Sequence, residues 1–428
     1  MKAKIIPFIT VLAPFIFLFY SCEDTTYKEY KGNEPVYITY KELRSAVITE
    51  QNTELKNPGK IYFKDNYIFV VEEQKGIHVF DNTNPSSPVN KVFIKLPGVV
   101  DITISGSIMY ADSYVDMVIL DLQDIENVHV AGRLQDIFPY IVPPTGNEYP
   151  MAYVDQTKGV VVGWNLKIIR EKVNVNPTPY PVYWERGGFY LDKVNASGAS
   201  SGVSGSGFGI GGSMARFGVK DNVLYVLNQN NLKVFDISSK TNPNKYTDIY
   251  AGWNIETMFL TDKNMFLGTN TGMVVYDISE PLSPMWITFF SHARSCDPVI
   301  VDDTLAYVTL RSGTNCGGTS NVLDIISIKN LSAPSLVKSY PMSSPHGLGK
   351  SGDLLFICDG NTGLKVYDAA DPRDVSSHLI YTYSGINAYD VIPLGNVLVL
   401  TGDDGIYQYN YSNIQNITLL SKIEVVID

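Results

Sequence analysis

Leu232-Lys233-Val234-Phe235-Asp236-Ile237-Ser238 is a short apolar alternation that ends on an aspartate, and it recurs down the chain. It returns as Ile77-His78-Val79-Phe80-Asp81, Met117-Val118-Ile119-Leu120-Asp121, Met273-Val274-Val275-Tyr276-Asp277 and Leu364-Lys365-Val366-Tyr367-Asp368. Three degenerate copies join these, with Leu166-Lys167-Ile168-Ile169 before Arg170, Leu323-Asp324-Ile325-Ile326 before Ser327, and Ile406-Tyr407-Gln408-Tyr409 before Asn410. The closing positions are spaced 40, 49, 66, 41, 50, 41 and 42 residues apart, so the period is about 41 residues and the units number eight. The long intervals carry visible insertions at Phe138–Pro150, around 197–213 and at Arg311–Thr319.

One unit, residues 254–291, divides into strand a at Glu256–Thr261, b at Met265–Thr269, c at Met273–Asp277 and d at Met285–Phe290, separated by turn residues. Glycine opens strand c at Gly76, Gly272, Gly363 and Gly405, as a tight b–c hairpin with positive φ requires. After strand c comes Asp-x-x-x-Pro-x-x-Pro at Asp81–Pro88 and Asp277–Pro284, where the carboxylate bonds forward to turn amides and proline stops the ladder. A four-stranded sheet apolar on both faces cannot bury both alone, so the units pack face to face and close in a circle. The expected fold is all-β, a β-propeller of four-stranded antiparallel blades; eight are favoured, and the weak copy at 151–170 leaves seven as the alternative. Val36–Tyr40 is expected to latch the ring to its last blade or to pack across an edge.

The Leu-Lys-Val-Phe-Asp-Ile-Ser phrase resembles the LVIVD-repeat family of bacterial cell-surface proteins over roughly residues 60–428. The resemblance implies a propeller fold and an extracytoplasmic location, and little about chemistry.

Lys2 and Lys4 precede an apolar run from Ile5 to Tyr20, broken by Pro7 and Pro14 and too short to span a bilayer well. Residues 1–21 read as a signal peptide. Leu18-Phe19-Tyr20-Ser21-Cys22 resembles a relaxed lipoprotein processing box of the Bacteroidetes type, although the bulk of Tyr20 departs from the strict pattern. Cys22 is then the lipidated N-terminus, the Glu23-Asp24 pair accompanies surface display on the outer membrane, and ordinary secretion with a free Cys22 is the alternative. Residues 22–35 are the expected tether and 36–428 a single propeller domain, monomeric and held to a membrane by acyl chains. With 33 Lys and Arg against 44 Asp and Glu, a net charge of −11 and no basic cluster exclude a nucleic-acid partner.

With strand a innermost, the d–a connections and b–c hairpins lie on one face of the ring, the upper face here, and all three insertions elaborate it. Aligning the first residue of strand a collects Lys60, Asp101, Arg216, Glu256, Asp297, His346 and Asp390 at the channel mouth. Such a rim would bind a divalent cation through oxygen ligands, or a polar ligand with His346 shuttling protons; hydration of the same charges is the bland alternative. Tyr140, Tyr183 and Trp184, with Phe138, Tyr149, Tyr180 and Trp253, place flat rings on or beside the insertions, suited either to a glycan or peptide or to packing the loops down. Cys296 and Cys316 fall at the top of one unit and are expected to pair as a disulfide, whereas Cys358 ends a strand b as a buried thiol.

Gly207, Gly209 and Gly212 satisfy G-x-G-x-x-G without the strand and helix a dinucleotide site needs, and no other catalytic or metal motif is present. The leading expectation is a surface-anchored, non-catalytic binding module for an extracellular glycan or an envelope protein. The alternatives are an extracytoplasmic hydrolase or lyase built on the rim carboxylates, and a structural envelope component.

Overall fold

The computed structural model describes residues 27–172, 210–211, 215–228, 230–252, 255–269, 271–291, 298–312 and 320–426, with the backbone alone at 210, 211 and 256. Among these residues, seven four-stranded antiparallel blades follow one another at 58–95, 102–134, 217–250, 255–291, 299–341, 348–383 and 388–424. The spatial order in each blade is a-b-c-d, and strands a of successive blades touch around the axis, so strand a lines the channel. The fold is a seven-bladed propeller, not an eight-bladed one.

The copy that fails is Leu166–Ile169. It belongs to a strand at Val160–Lys172 that pairs antiparallel with Tyr27–Ile38 over twelve residue pairs, as a two-stranded ribbon outside the ring. An exposed ribbon and a blade strand share the same period of two, so the local pattern could not separate them. Residues 27–35, read from the sequence as tether, form half of this ribbon. Nor does Val36–Tyr40 latch the last blade: Thr39 caps a short helix, Tyr40–Ser45, through a capping box with Glu42. Leu43 of that helix is fully buried with Tyr114, Val115 and Val160 above blade 2.

Apolar cores form between neighbouring blades and chain around the ring. The third residue of strand b is their recurrent wedge: Phe69, Tyr110, Tyr225, Phe266, Tyr307 and Phe356 are all at most 1% exposed. Burying a ring of this size stabilises by about 2–3 kcal/mol. Two of the tyrosines also tie blade to blade, Tyr110 donating to the Lys240 carbonyl at 2.9 Å and Tyr225 to that of Pro281 at 2.6 Å, each in the c–d turn of the next blade. Ring closure uses the same means. Ile392, Val399, Ile406 and Ile423 of blade 7 pack against Ile61, Phe63, Ile68, Val70 and Phe80 of blade 1. Asn82 and Gln408 exchange side-chain hydrogen bonds at 2.7 and 2.9 Å across that seam. Blade 1 is further extended on its outer edge by Ile48–Gln51, and on its channel edge by the backbone of Ile210–Gly211.

The aspartate that closes strand c acts as its spacing predicts. Asp81, Asp121, Asp236, Asp277 and Asp368 each accept from the amide two residues on, at 2.7–3.0 Å, and Asn410 does the same in blade 7. The glycine opening strand c has a different cause from the one expected. Only Gly363 of the four has a positive φ, at 91°. At Gly76 and Gly272 a Cβ would stand 2.3 Å from the strand-d carbonyls of Ile94 and Phe290, so close approach of the backbones, not handedness, excludes a side chain.

Candidate functional site

Of the seven a-strand positions, Lys60, Asp101 and Arg216 come together at the channel mouth, where the charges of Lys60 and Asp101 are consumed within the protein. Asp101, 3% exposed, receives Lys60 Nζ at 2.6 Å, the Arg216 backbone amide at 2.6 Å and the amide of Ile102 at 2.8 Å. Burial lowers the Lys60 pKa, and the Asp101 carboxylate only partly offsets this. Asp101 thereby joins the entries to blades 1, 2 and 3. The Glu256 side chain and Asp297 lie outside the described residues, as do Tyr183, Trp184, Tyr180, Trp253, Cys22, Cys296, Cys316 and Gly207, Gly209 and Gly212. Cys358 is a free thiol, fully buried, whose pKa burial raises.

Two carboxylates that the alignment passed over hold the mouth together. Asp112, at the end of strand b of blade 2, accepts the amides of Val100 and Asp101 at 2.7 and 3.0 Å. Asp359, just past the end of strand b of blade 6, accepts the amides of Ser343 and Ser344 and pairs with Lys365. Each clamps the incoming d–a connection against its own blade. Burial works against a charged Asp359, yet Lys365 and the two amides hold the carboxyl below its usual range.

Two groups at the mouth are held differently. Glu73, in the b–c hairpin of blade 1, is pushed up from 4.5 to about 7 by burial, with Lys60 and Arg216 pulling the other way. It is poised to carry a proton near neutrality. His346, 5% exposed, has its pKa pushed down to about 3, first by burial and then by the Arg311 charge. Its Nδ1–H donates to the Ser344 carbonyl at 2.6 Å, which leaves Nε2 a buried lone pair with no hydrogen-bond partner among the described residues. A neutral imidazole of this kind accepts a hydrogen bond; it does not serve as a cation. Asp390 is 1% exposed, and its backbone borders His346 through the Gly347 amide, which bonds the Tyr389 carbonyl at 2.8 Å. No three His, Cys, Asp or Glu side chains among the described residues are grouped to hold a metal ion.

Of the insertion aromatics that are described, Tyr149 is 41% exposed with Lys31 over its ring at 4.6 Å, while Phe138 and Tyr140 pack their loops down. Phe138, 7% exposed, meets Phe217 edge-on at 6.0 Å, and Tyr140 donates to the Gly159 carbonyl at 2.9 Å beside Val142 and Trp164. Neither is offered to a ligand.

An open aromatic cleft lies instead between blades 3 and 4, at the outer end of the upper face. Its volume is about 350 Å³, and Tyr250, Trp286, Phe289, Val274, Tyr276 and Thr271 are among its walls. Trp286 is 62% exposed, Tyr250 58% and Phe289 44%. A bulge at the Val275/Tyr276 step puts Trp286 and Phe289 on one face with Tyr276 and Val274, although they are three residues apart. Gly272 leaves the space over which the Phe289 ring lies, since a Cβ there would come within 2.6 Å of it. Among the described residues, no charged side chain lines the cleft. The signal in the sequence was Met285-Trp286-Ile287-Thr288-Phe289-Phe290, a strand d with aromatic residues where an outer edge is ordinarily polar.

No curated protein matches the sequence. Among solved structures, the chain is similar to the computationally designed Ika8 protein, with a TM-score of 0.50 and 9% identity over 88% of this chain and 92% of that one. It is similar also to a protein from Lactobacillus plantarum (TM-score 0.49, 12% identity, 86% and 97% covered) and to BamB from Moraxella catarrhalis (0.45, 7%, 83% and 82%). At such identities the likeness to the first is one of fold alone. The LVIVD repeat pattern matches residues 59–93, 211–248 and 317–341, which fall on blades 1, 3 and 5. This chain carries LVIVD repeats.

Proposed function

We propose that this propeller is a non-catalytic binding module, anchored through Cys22 to the outer membrane and displayed at the cell surface, and that it takes an extracellular glycan in the cleft between blades 3 and 4. The observation that carries the reading is the exposure of three aromatic side chains around one uncharged concavity. A neutral pyranose suits it: its C–H faces stack on exposed rings, while the Thr271 hydroxyl at the cleft wall can exchange a hydrogen bond with the sugar rim. An anionic ligand would find no cation among the described residues of that lining. A cleft of about 350 Å³ is the size of a small-ligand site.

The hydrolase reading would need two carboxylates available to a substrate at the channel mouth. Asp101 is engaged by Lys60 and two amides and Asp112 by two amides, which weighs against it; Glu73, protonated near neutrality, is the one observation in its favour.

The test is calorimetric titration of neutral oligosaccharides selected on a glycan array, with Trp286→Ala and Phe289→Ala compared with wild type. Binding lost in both variants, with unchanged far-ultraviolet dichroism, is the expected result. Binding that survives both substitutions, or release of a cleaved sugar, would overturn the assignment.

A further inference from the structure

The ribbon formed by Tyr27–Ile38 and Val160–Lys172 stands outside the ring. Its base is fixed: Ile38 and Val160 pack with Leu43, and Val161 with Val142 and Val154. Toward its far end the register sets Tyr27 opposite Lys172, Glu29 opposite Arg170, Lys31 opposite Ile168 and Asn33 opposite Leu166. Directly opposed residues project to the same side of an antiparallel pair, so seven residues, Tyr27, Glu29, Lys31, Leu166, Ile168, Arg170 and Lys172, share one face, and Asn33 at its inner end is buried against Asn147 and the Tyr149 carbonyl. All seven are exposed, with Ile168 at 65%, Tyr27 at 46% and Leu166 at 43%. The other face is partly occupied, for Gly32 abuts the Ile169 side chain and the Pro150 carbonyl, and Glu171 accepts the Tyr153 amide at 2.8 Å.

The charge of this arm runs against that of the chain. Lys28, Lys31, Lys167, Arg170 and Lys172 oppose Glu29, Glu34 and Glu171 in its outer eight rungs, Glu34 pairing with Lys167 at 2.5 Å, in a protein of net charge −11. Glu171 is moreover bonded to Tyr30 at 2.8 Å. Exposed aliphatic and aromatic side chains interleaved with lysine and arginine form the chemistry of a membrane–water interface, where rings and stems sit at headgroup level and cations meet lipid phosphates. Position agrees with chemistry. Tyr27 is five residues from Cys22, so a chain held there by acyl groups has its ribbon tip within about 18 Å of the bilayer at full extension.

We propose that the open face of this ribbon docks on an anionic phospholipid surface. The inference builds on the reading of Cys22 as the anchor, and it adds a second membrane contact. Acyl chains supply adhesion, and the ribbon supplies orientation: the acidic body is repelled by the same surface that attracts the arm, so the propeller is held off the bilayer by its ribbon. The cationic contribution is local, since charges more than about 8 Å from the headgroups are screened at physiological salt.

Co-sedimentation with vesicles tests it, using the chain from Glu23 onward, which contains every described strand and no lipid. Vesicles of phosphatidylcholine with 30% phosphatidylglycerol are compared with phosphatidylcholine alone. Wild type should bind the anionic vesicles and release with salt. Each cation at the surface is worth about a fivefold change in partition, so Lys31→Gln/Arg170→Gln/Lys172→Gln should bind on the order of 100-fold more weakly. Ile168→Ser should weaken binding at high salt, where only apolar contact remains. Thermal melting should be nearly the same for all, because the substituted side chains are exposed and the cation of Lys31 lies over the Tyr149 ring, itself 41% exposed. Equal binding of wild type and triple variant, or no binding of folded wild type to anionic vesicles, would overturn the proposal. Mass analysis of the N-terminal peptide from the full chain and from Cys22→Ser reads the anchor independently: an unmodified Cys22 removes the anchor and leaves the vesicle result to stand.

Discussion

Replacing Glu73 by glutamine should leave the protein unchanged in mild acid and make it more stable in mild base. The carboxyl is raised from 4.5 to about 7 because the channel mouth strips it of water, even with Lys60 and Arg216 nearby. Its folded-state pKa therefore lies above the unfolded one. Between those two values the folded chain keeps a proton that the unfolded chain has lost, so the stability linked to that proton is fully present below about pH 4.5 and is lost as pH rises through 7. A rise of this size corresponds to about 3 kcal/mol at pH 8.5. Glutamine has the same shape and no charge to desolvate, so Glu73→Gln should recover most of that amount at pH 8.5 and almost none at pH 4.5. With an unfolding entropy of about 2.1 cal/mol/K per residue over roughly 400 residues, the gain in Tm is about 4 °C. Differential scanning calorimetry of both proteins at the two pH values reads this difference directly, and titrations shared by both chains cancel. A gap that is the same at both pH values, or a variant that melts earlier at pH 8.5, would show that Glu73 is an anion stabilised by Lys60 and Arg216 and would refute the desolvation argument.

Two further predictions concern the same face. Asp359→Ala removes a buried carboxylate that serves two amides and Lys365, and should cost about 3–5 kcal/mol in denaturant unfolding while accelerating hydrogen exchange at Ser343 and Ser344; an effect below about 1 kcal/mol would mean the clamp is ornamental. Because that carboxyl is held below its usual range, its contribution is present above the unfolded pKa and is lost as pH falls through the folded one. His346, lowered to about 3 by burial and by Arg311, should show no imidazole titration between pH 5 and 8 by NMR and should hold its proton on Nδ1; a midpoint above 5 would contradict the geometry.

The comparison of expectation with structure turns on how far apart the interacting residues lie. Seven of the eight closing positions, 81, 121, 236, 277, 327, 368 and 410, do end a strand c, and the five aspartates among them bond as their turns require. These are local features, fixed within a few residues by period-two patterning and by Asp and Pro turn chemistry, and a sequence displays them openly. The eighth failed because Leu166–Ile169 alternates like a blade strand while its partners, Tyr30 and Lys31 among them, lie far back in the chain. That copy lacks both the closing aspartate and the opening glycine, but so does Leu323–Ile326, which is a true strand c, so the missing residues could not mark it.

The candidate site divides in the same way. Alignment placed Asp101, His346 and Asp390 at the channel mouth, since position within a repeat is a matter of counting. It could not foresee that Asp101 would be consumed by Lys60 one repeat earlier and by the Arg216 amide beyond the ribbon, or that Glu73 would be desolvated beside them. Charge state depends on burial and on neighbours, and both come into being when distant segments meet. The aromatic cleft is the clearest case. Trp286 and Phe289 share a face only through a bulge in the strand pairing, and the cleft exists only because Tyr250 of another blade stands across from them. By itself the sequence determined the blade, its turns and its repetition, because those are settled over a few residues at a time. The tertiary structure decided the number of blades, the pairing of the ribbon and which side chains remain open to a ligand, because each depends on contacts between residues that only a closed ring brings together.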